Sequence, residues 1–94
     1  MKRFLVMITS EATEENKNFK GQECTYYYGK NQRLLGCTGS HAKATYTEQE
    51  LLPYSIIEHG YKTEADAKRS WMYKNTPKYE VHWKNEAEII AVEV

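Results

Sequence analysis

Five successive residues, Phe4-Leu5-Val6-Met7-Ile8, are all apolar. In an extended chain successive side chains point to opposite faces. Phe4, Val6 and Ile8 therefore fall on one face, and Leu5 and Met7 on the other. A strand with two apolar faces has to be covered on both. Residues 2–10 are thus expected to form a central strand, with the rest of the chain supplying its neighbours. The whole chain has 94 residues, enough for one core and one domain, 1–94, and too few for an enzyme with a cleft between two lobes.

The remaining elements follow from local signals. Residues 11–22 are polar and read as a loop, with Ser10 able to cap a short helical turn. Residues 23–28, Glu-Cys-Thr-Tyr-Tyr-Tyr, have strong strand propensity. Gly29-Lys30-Asn31 supplies a turn, and residues 32–37 return as the second arm of a hairpin. Gly36 within that arm signals a bulge or an early end. Residues 38–41 read as a loop. Thr47 with Glu50 fits a capping box, but Pro53 would break a helix begun there. The alternatives are a helix from Pro53 or an extended segment 54–59. Gly60 reads as a left-handed glycine closing a helix.

Thr63-Glu64-Ala65-Asp66 is the clearest helix start, with Thr63 capping the Asp66 amide and two acids at the positive end of the dipole. The helix is expected over 64–74, with Ala65, Ala67, Trp71 and Met72 towards the sheet, and Pro77 at its exit. Tyr79, Val81 and Trp83 alternate with polar residues as a half-buried strand. Asn85-Glu86 reads as a turn, and 88–94 as a last strand with Ile90, Val92 and Val94 on one face. The expected class is α+β: a small antiparallel or mixed sheet of four to five strands, with one or two short helices packed on one face.

Charge excludes several functions. Thirteen basic residues balance thirteen acidic ones, and both signs are mixed along the chain. There is no basic arm or acidic tail, so counterion-driven binding to duplex nucleic acid is not expected. No stretch reaches the ~18 apolar residues of a membrane span. Two cysteines without a secretory signal point to the cytoplasm.

The sequence contains no complete catalytic set. Cys24, Cys37 and His41 lack the close Cys pair and fourth ligand of a zinc site, and Cys37 near His41 lacks a group to orient the imidazole. No metal or other cofactor is expected. Eight Tyr and two Trp are a surplus, and these are the residues of binding hot spots. Of Tyr26-Tyr27-Tyr28, the middle ring falls on one face of a strand and the outer two on the other. Either Tyr27 faces the core and Tyr26 and Tyr28 face outwards, or the reverse. Together with Arg33 and Tyr79, Tyr26 and Tyr28 are the candidate anchors for a partner protein or a second copy of the chain. A different candidate is the segment 36–43. Its glycines suit a nest of backbone amides, and Thr38, Ser40, His41 and Lys43 would add donors for the phosphate of a nucleotide. It lacks the Gly-Lys-Ser/Thr ending of a P-loop.

Gly60-Tyr61-Lys62-Thr63, Ala67 on the following helix and the closing Glu88-Ile89-Ile90-Ala91-Val92-Glu93-Val94 carry a resemblance. With the opening strand, they resemble small uncharacterised phage and prophage proteins of Gram-positive bacteria, which join a Gly-Tyr-x-Thr turn to an Ala-containing helix and end in a Val/Glu strand. The resemblance covers about the last 35 residues and the first strand, and leaves 11–46 unmatched. It implies a setting in the host cell, among proteins that act by occupying a surface or sequestering a ligand. Counter-defence inhibitors such as anti-CRISPR proteins, and sponges for nucleotide signals, are of this scale. It transfers no functional residue. The expectation is a non-enzymatic protein that docks on a host protein, with a nucleotide receptor as the alternative.

Overall fold

The apolar opening segment does become the centre of a sheet. A computed structural model describes residues 1–45, 48–76 and 80–94, with 43–45 described as backbone. Strand β1 (Lys2–Ala12) pairs antiparallel with β2 (Glu23–Tyr28) on one side and with β4 (Trp83–Glu93) on the other, and β3 (Leu34–Thr38) lies outside β2. The order is β3-β2-β1-β4. Leu5 and Val6 point to opposite faces, and neither exposes any surface. The polar tail of β1 stays extended through Ala12, where a loop or helical turn was expected from residue 11. Glu11 pairs with both Glu23 and Lys84, so partners on each side hold the strand open.

The hairpin forms, but it begins its return later than expected. A 3-10 turn covers Lys30–Gln32, and Asn31 and Gln32 both take φ 58°. Strand β3 then starts at Leu34. Leu34 opposes Tyr28 while Gly36 opposes Tyr27. Leu35 is the extra residue, and the bulge sits beside Gly36 as its sequence signalled.

Strand β4 replaces the two strands and the intervening turn expected over 79–94. Asn85 and Glu86 lie inside one continuous strand whose eleven residues all pair with β1. An uninterrupted template outweighs the turn propensity of Asn85. Val81 lies before the strand and is 56% exposed, whereas Tyr79 is outside the described residues. Ile90, Val92 and Val94 pack together against the Leu5 cluster, as the alternation predicted.

Among the described residues four short helices flank the sheet: α1 (Ser40–Thr45), α2 (Pro53–His59), α3 (Glu64–Lys68) and α4 (Trp71–Asn75). Of the alternatives for 47–59, the helix starting at Pro53 is the one that forms. Thr47 lies outside the described residues, and Gln49 is extended, bridged to Cys37. Gly60 follows α2 at φ −70°, so it is not a left-handed cap. A Cβ there would lie 2.5 Å from the Ile56 carbonyl oxygen and 2.9 Å from the Arg3 Cβ. Close approach to β1, rather than backbone handedness, explains this glycine.

Thr63 accepts the Asp66 amide as predicted. The helix it opens ends at Lys68, however, and a second begins after Ser70, whose hydroxyl accepts the Tyr73 amide. Ser70 itself is extended at ψ 150°. This break turns Trp71 out to 59% exposure instead of towards the sheet, while Ala67 is fully buried.

The strand register separates two apolar clusters. Leu5, Leu35 and Ile56 of α2, with Tyr27, Ile90 and Val92, occupy one face. Cys24, Cys37 and Ala42 of α1, with Tyr26, occupy the other. The small α+β class therefore holds with four antiparallel strands, and the helices cover both faces. Among the described residues no helix is long and apolar enough to cross a membrane.

Candidate binding pocket

At one end of the Cys24 face the sheet floor is left open. Ser10 pairs with Asn85, Ile8 with Tyr26 and Ala12 with Trp83. By the alternation of a strand, Ser10, Tyr26, Trp83 and Asn85 thus share this face. Phe19, His41 and Glu80 close round them, and the resulting pocket holds about 430 Å³. Its opening leaves a way in from solvent, and four of its seven described lining side chains are rings.

The walls are held by hydrogen bonds that begin in the polar stretch 13–22. Thr13 N–H donates to the His82 carbonyl at 3.0 Å, and the Thr13 hydroxyl donates to the Val81 carbonyl. Asn16 is buried; its amide nitrogen donates to the His82 carbonyl, and its Oδ1 accepts the Phe19 N–H at 3.1 Å. This stretch is thereby tied to the entry of β4, and Phe19 is aimed at Trp83. The Phe19 and His41 ring centres lie 4.9 Å apart, edge to face at 81°. His41 is 5.0 Å from Trp83, and Phe19 is 5.9 Å from Trp83 at 33°. These are attractive ring separations. His41 Nδ1 is hydrogen-bonded to the Gln22 side chain at 3.1 Å. On the floor, the Ser10 hydroxyl donates to Asn85 Oδ1.

The pocket draws one residue from each of the two candidate sets. Tyr26, from the proposed protein anchors, lines it beside His41, from the proposed phosphate segment. Tyr28 shares the face, with its ring 6.2 Å from that of Tyr26. Both rings are half-buried and neither simply faces outwards, because α1 packs over this face too. Burial pushes the Tyr28 phenol above its ordinary value of 10.0, and the nearby Cys24 and Cys37 thiols push the same way. Arg33 is exposed at the hairpin end, outside the pocket lining, and Tyr79 lies outside the described residues.

The segment 36–43 is not a loop. Residues 36–38 belong to β3, and Ser40 onwards forms α1. Gly39 joins them at φ +121°, with its Cα close against Glu23: a Cβ there would lie 2.7 Å from the Glu23 carbonyl oxygen. Several polar groups of the segment are engaged by the protein itself. Cys37 N–H bonds to the Gln49 carbonyl at 3.0 Å, and the Thr38 hydroxyl donates to Glu48 at 2.9 Å. The Ser40 hydroxyl accepts the Glu23 N–H at 3.0 Å. Thr38 pairs with Thr25, so it sits on the opposite face from His41's pocket. Lys43 is on α1. Cys24 and Cys37 are buried and not joined in a disulfide, in keeping with small apolar strand residues.

Sequence reasoning missed Ser10, Phe19, Glu80, Trp83 and Asn85 as lining residues. One signal was available: Phe19 is the only large apolar side chain in the polar run 13–22, and a lone ring in such a run has to pack somewhere. Comparison of the chain with protein-family models, curated proteins and solved structures yields no match.

Proposed function

We propose that this chain is a non-enzymatic binding protein of phage or prophage type, which acts in the host cytoplasm by docking on a host protein. A counter-defence inhibitor, of which anti-CRISPR proteins are one kind, is the form of action that fits a chain of this size. The observation that supports docking is the convergence of Phe19, Tyr26, His41 and Trp83 on one pocket open to solvent. Interface hot spots are built from such rings, each set in a well-packed surround. Of the expected anchors Tyr26 stays in this set; His41, from the phosphate segment, joins it with Phe19 and Trp83.

The nucleotide-receptor alternative draws less support. Thr38 and Ser40, which were to hold the phosphate, are bonded within the protein, and the pocket lining has an acid but no Lys or Arg among the described residues.

The test is capture from a Gram-positive host cell with the parent and with Tyr26→Ala. A host protein enriched by the parent and reduced at least several-fold by the variant supports docking, since anchor truncations cost ~1–2 kcal/mol or more. Equal capture by both overturns it. A nucleotide panel read by thermal shift tests the alternative: ligand at ~100 times its dissociation constant adds ~2.7 kcal/mol, and no stabilisation is expected.

A further inference from the structure

The pocket also has a sign. Among the described residues that line it, Glu80 is the one acidic side chain and there is no Lys or Arg. The faces of Trp83 and Phe19 are electron-rich, and Trp is the strongest ring partner for a cation. Ser10 and Asn85 on the floor are neutral and already bonded to each other. A carboxylate, two electron-rich faces and a neutral polar floor favour a cation over an anion.

Resting on the docking reading, we propose that the pocket receives an arginine side chain of the partner protein. Arginine suits it better than lysine for three reasons. Its planar guanidinium stacks on a ring face, whereas an ammonium is a compact point charge. It is more weakly hydrated, so a half-closed aromatic site costs it less. Its fork of N–H donors matches the two oxygens of Glu80, as a bidentate pair. The hydrocarbon stem would lie along Tyr26, as long cationic side chains do against apolar surface.

The test uses N-acetyl-arginine amide as the probe, with N-acetyl-lysine amide and adenosine monophosphate in parallel. The protein carries Trp71→Phe, which leaves Trp83 as the sole indole; Trp71 is exposed, so the fold should tolerate the change. The Trp83 indole N–H resonance is followed through each titration. Saturable binding of the arginine probe in the millimolar range is expected, at least threefold tighter than the lysine probe. Glu80→Gln should weaken it at least threefold while leaving thermal unfolding unchanged. No saturable response to the arginine probe, equal binding by Glu80→Gln, or tighter binding of adenosine monophosphate would each overturn the proposal. The two readings fail separately. If capture still depends on Tyr26 but the arginine probe does not bind, docking stands and the guanidinium assignment falls. If the probe binds but capture is indifferent to Tyr26, the guanidinium site stands and docking falls.

Discussion

The Ser10 hydroxyl donates to the Asn85 side chain across the β1–β4 pair. The bond is part-buried, and it joins the two strands at the floor of the pocket. Asn85→Ala removes the acceptor and leaves the serine to water, at a cost of about 0.5–1.5 kcal/mol. For a domain of this size that is a fall in Tm of roughly 4–8 °C per kcal/mol. Thermal unfolding followed by circular dichroism checks it. A Ser10→Ala/Asn85→Ala pair should be less destabilised than the sum of the singles.

The break between α3 and α4 makes a prediction of opposite sign to an unbroken helix. Ser70 caps α4 through the Tyr73 amide, so Ser70→Ala should destabilise by about 1 kcal/mol, as should Thr63→Ala at the start of α3. In a continuous helix over 64–74 Ser70 would be an interior residue, and alanine there would stabilise. Urea unfolding of the two variants decides between the arrangements.

Gly60→Ala should cost about 1–3 kcal/mol, the range for overpacking, because its Cβ would crowd the Ile56 carbonyl oxygen and Arg3. Asparagine, which tolerates left-handed backbone, should give no relief, since Gly60 is extended. Equal stability of Gly60→Asn and the parent would contradict this packing. Urea midpoints measure both.

Burial pushes the Cys24 thiol above its ordinary value of 9.0, against the lowering effect of its hydrogen bond with Tyr26, and the neighbouring Cys37 adds to the rise. The folded state thus disfavours the thiolate more than the unfolded chain does. This contribution to stability is complete below the unfolded value and is lost as pH climbs through 9.0 towards the folded one. Iodoacetamide should modify Cys24 far more slowly in the native protein than in urea at neutral pH. Cys24→Ala should show a shallower loss of stability on the alkaline side. Equal native and unfolded rates would refute the burial.

The sequence was most legible where one local rule met no competitor. Phe4–Ile8 could only be a two-sided strand, and Thr63 had a free amide to cap. It misled where tertiary pairing outweighed propensity. Asn85-Glu86 has turn chemistry, yet β1 presents an unbroken ladder opposite it. Ser70 favours a helix start, but nothing in the alternation of 64–74 marks a change of axis there. The pocket was half legible. Tyr26 and His41 were singled out for different reasons, and their meeting depends on a register that no local pattern encodes. Phe19 reaches it through a loop pinned by Asn16 and Thr13 to Val81 and His82 at the entry of β4, contacts between parts of the chain far apart in sequence.

The pairing of β1 with β4 also sets a timetable. Lys2 meets Glu93 and Ala12 meets Trp83, so β1, made well before β4, waits for one neighbour until residues 83–93 have followed it. Until then Leu5 and Val6 belong to a strand satisfied on one edge only, the state in which apolar segments attract chaperones and other nascent chains. Contacts this remote also slow folding, because loop closure has to precede their reward.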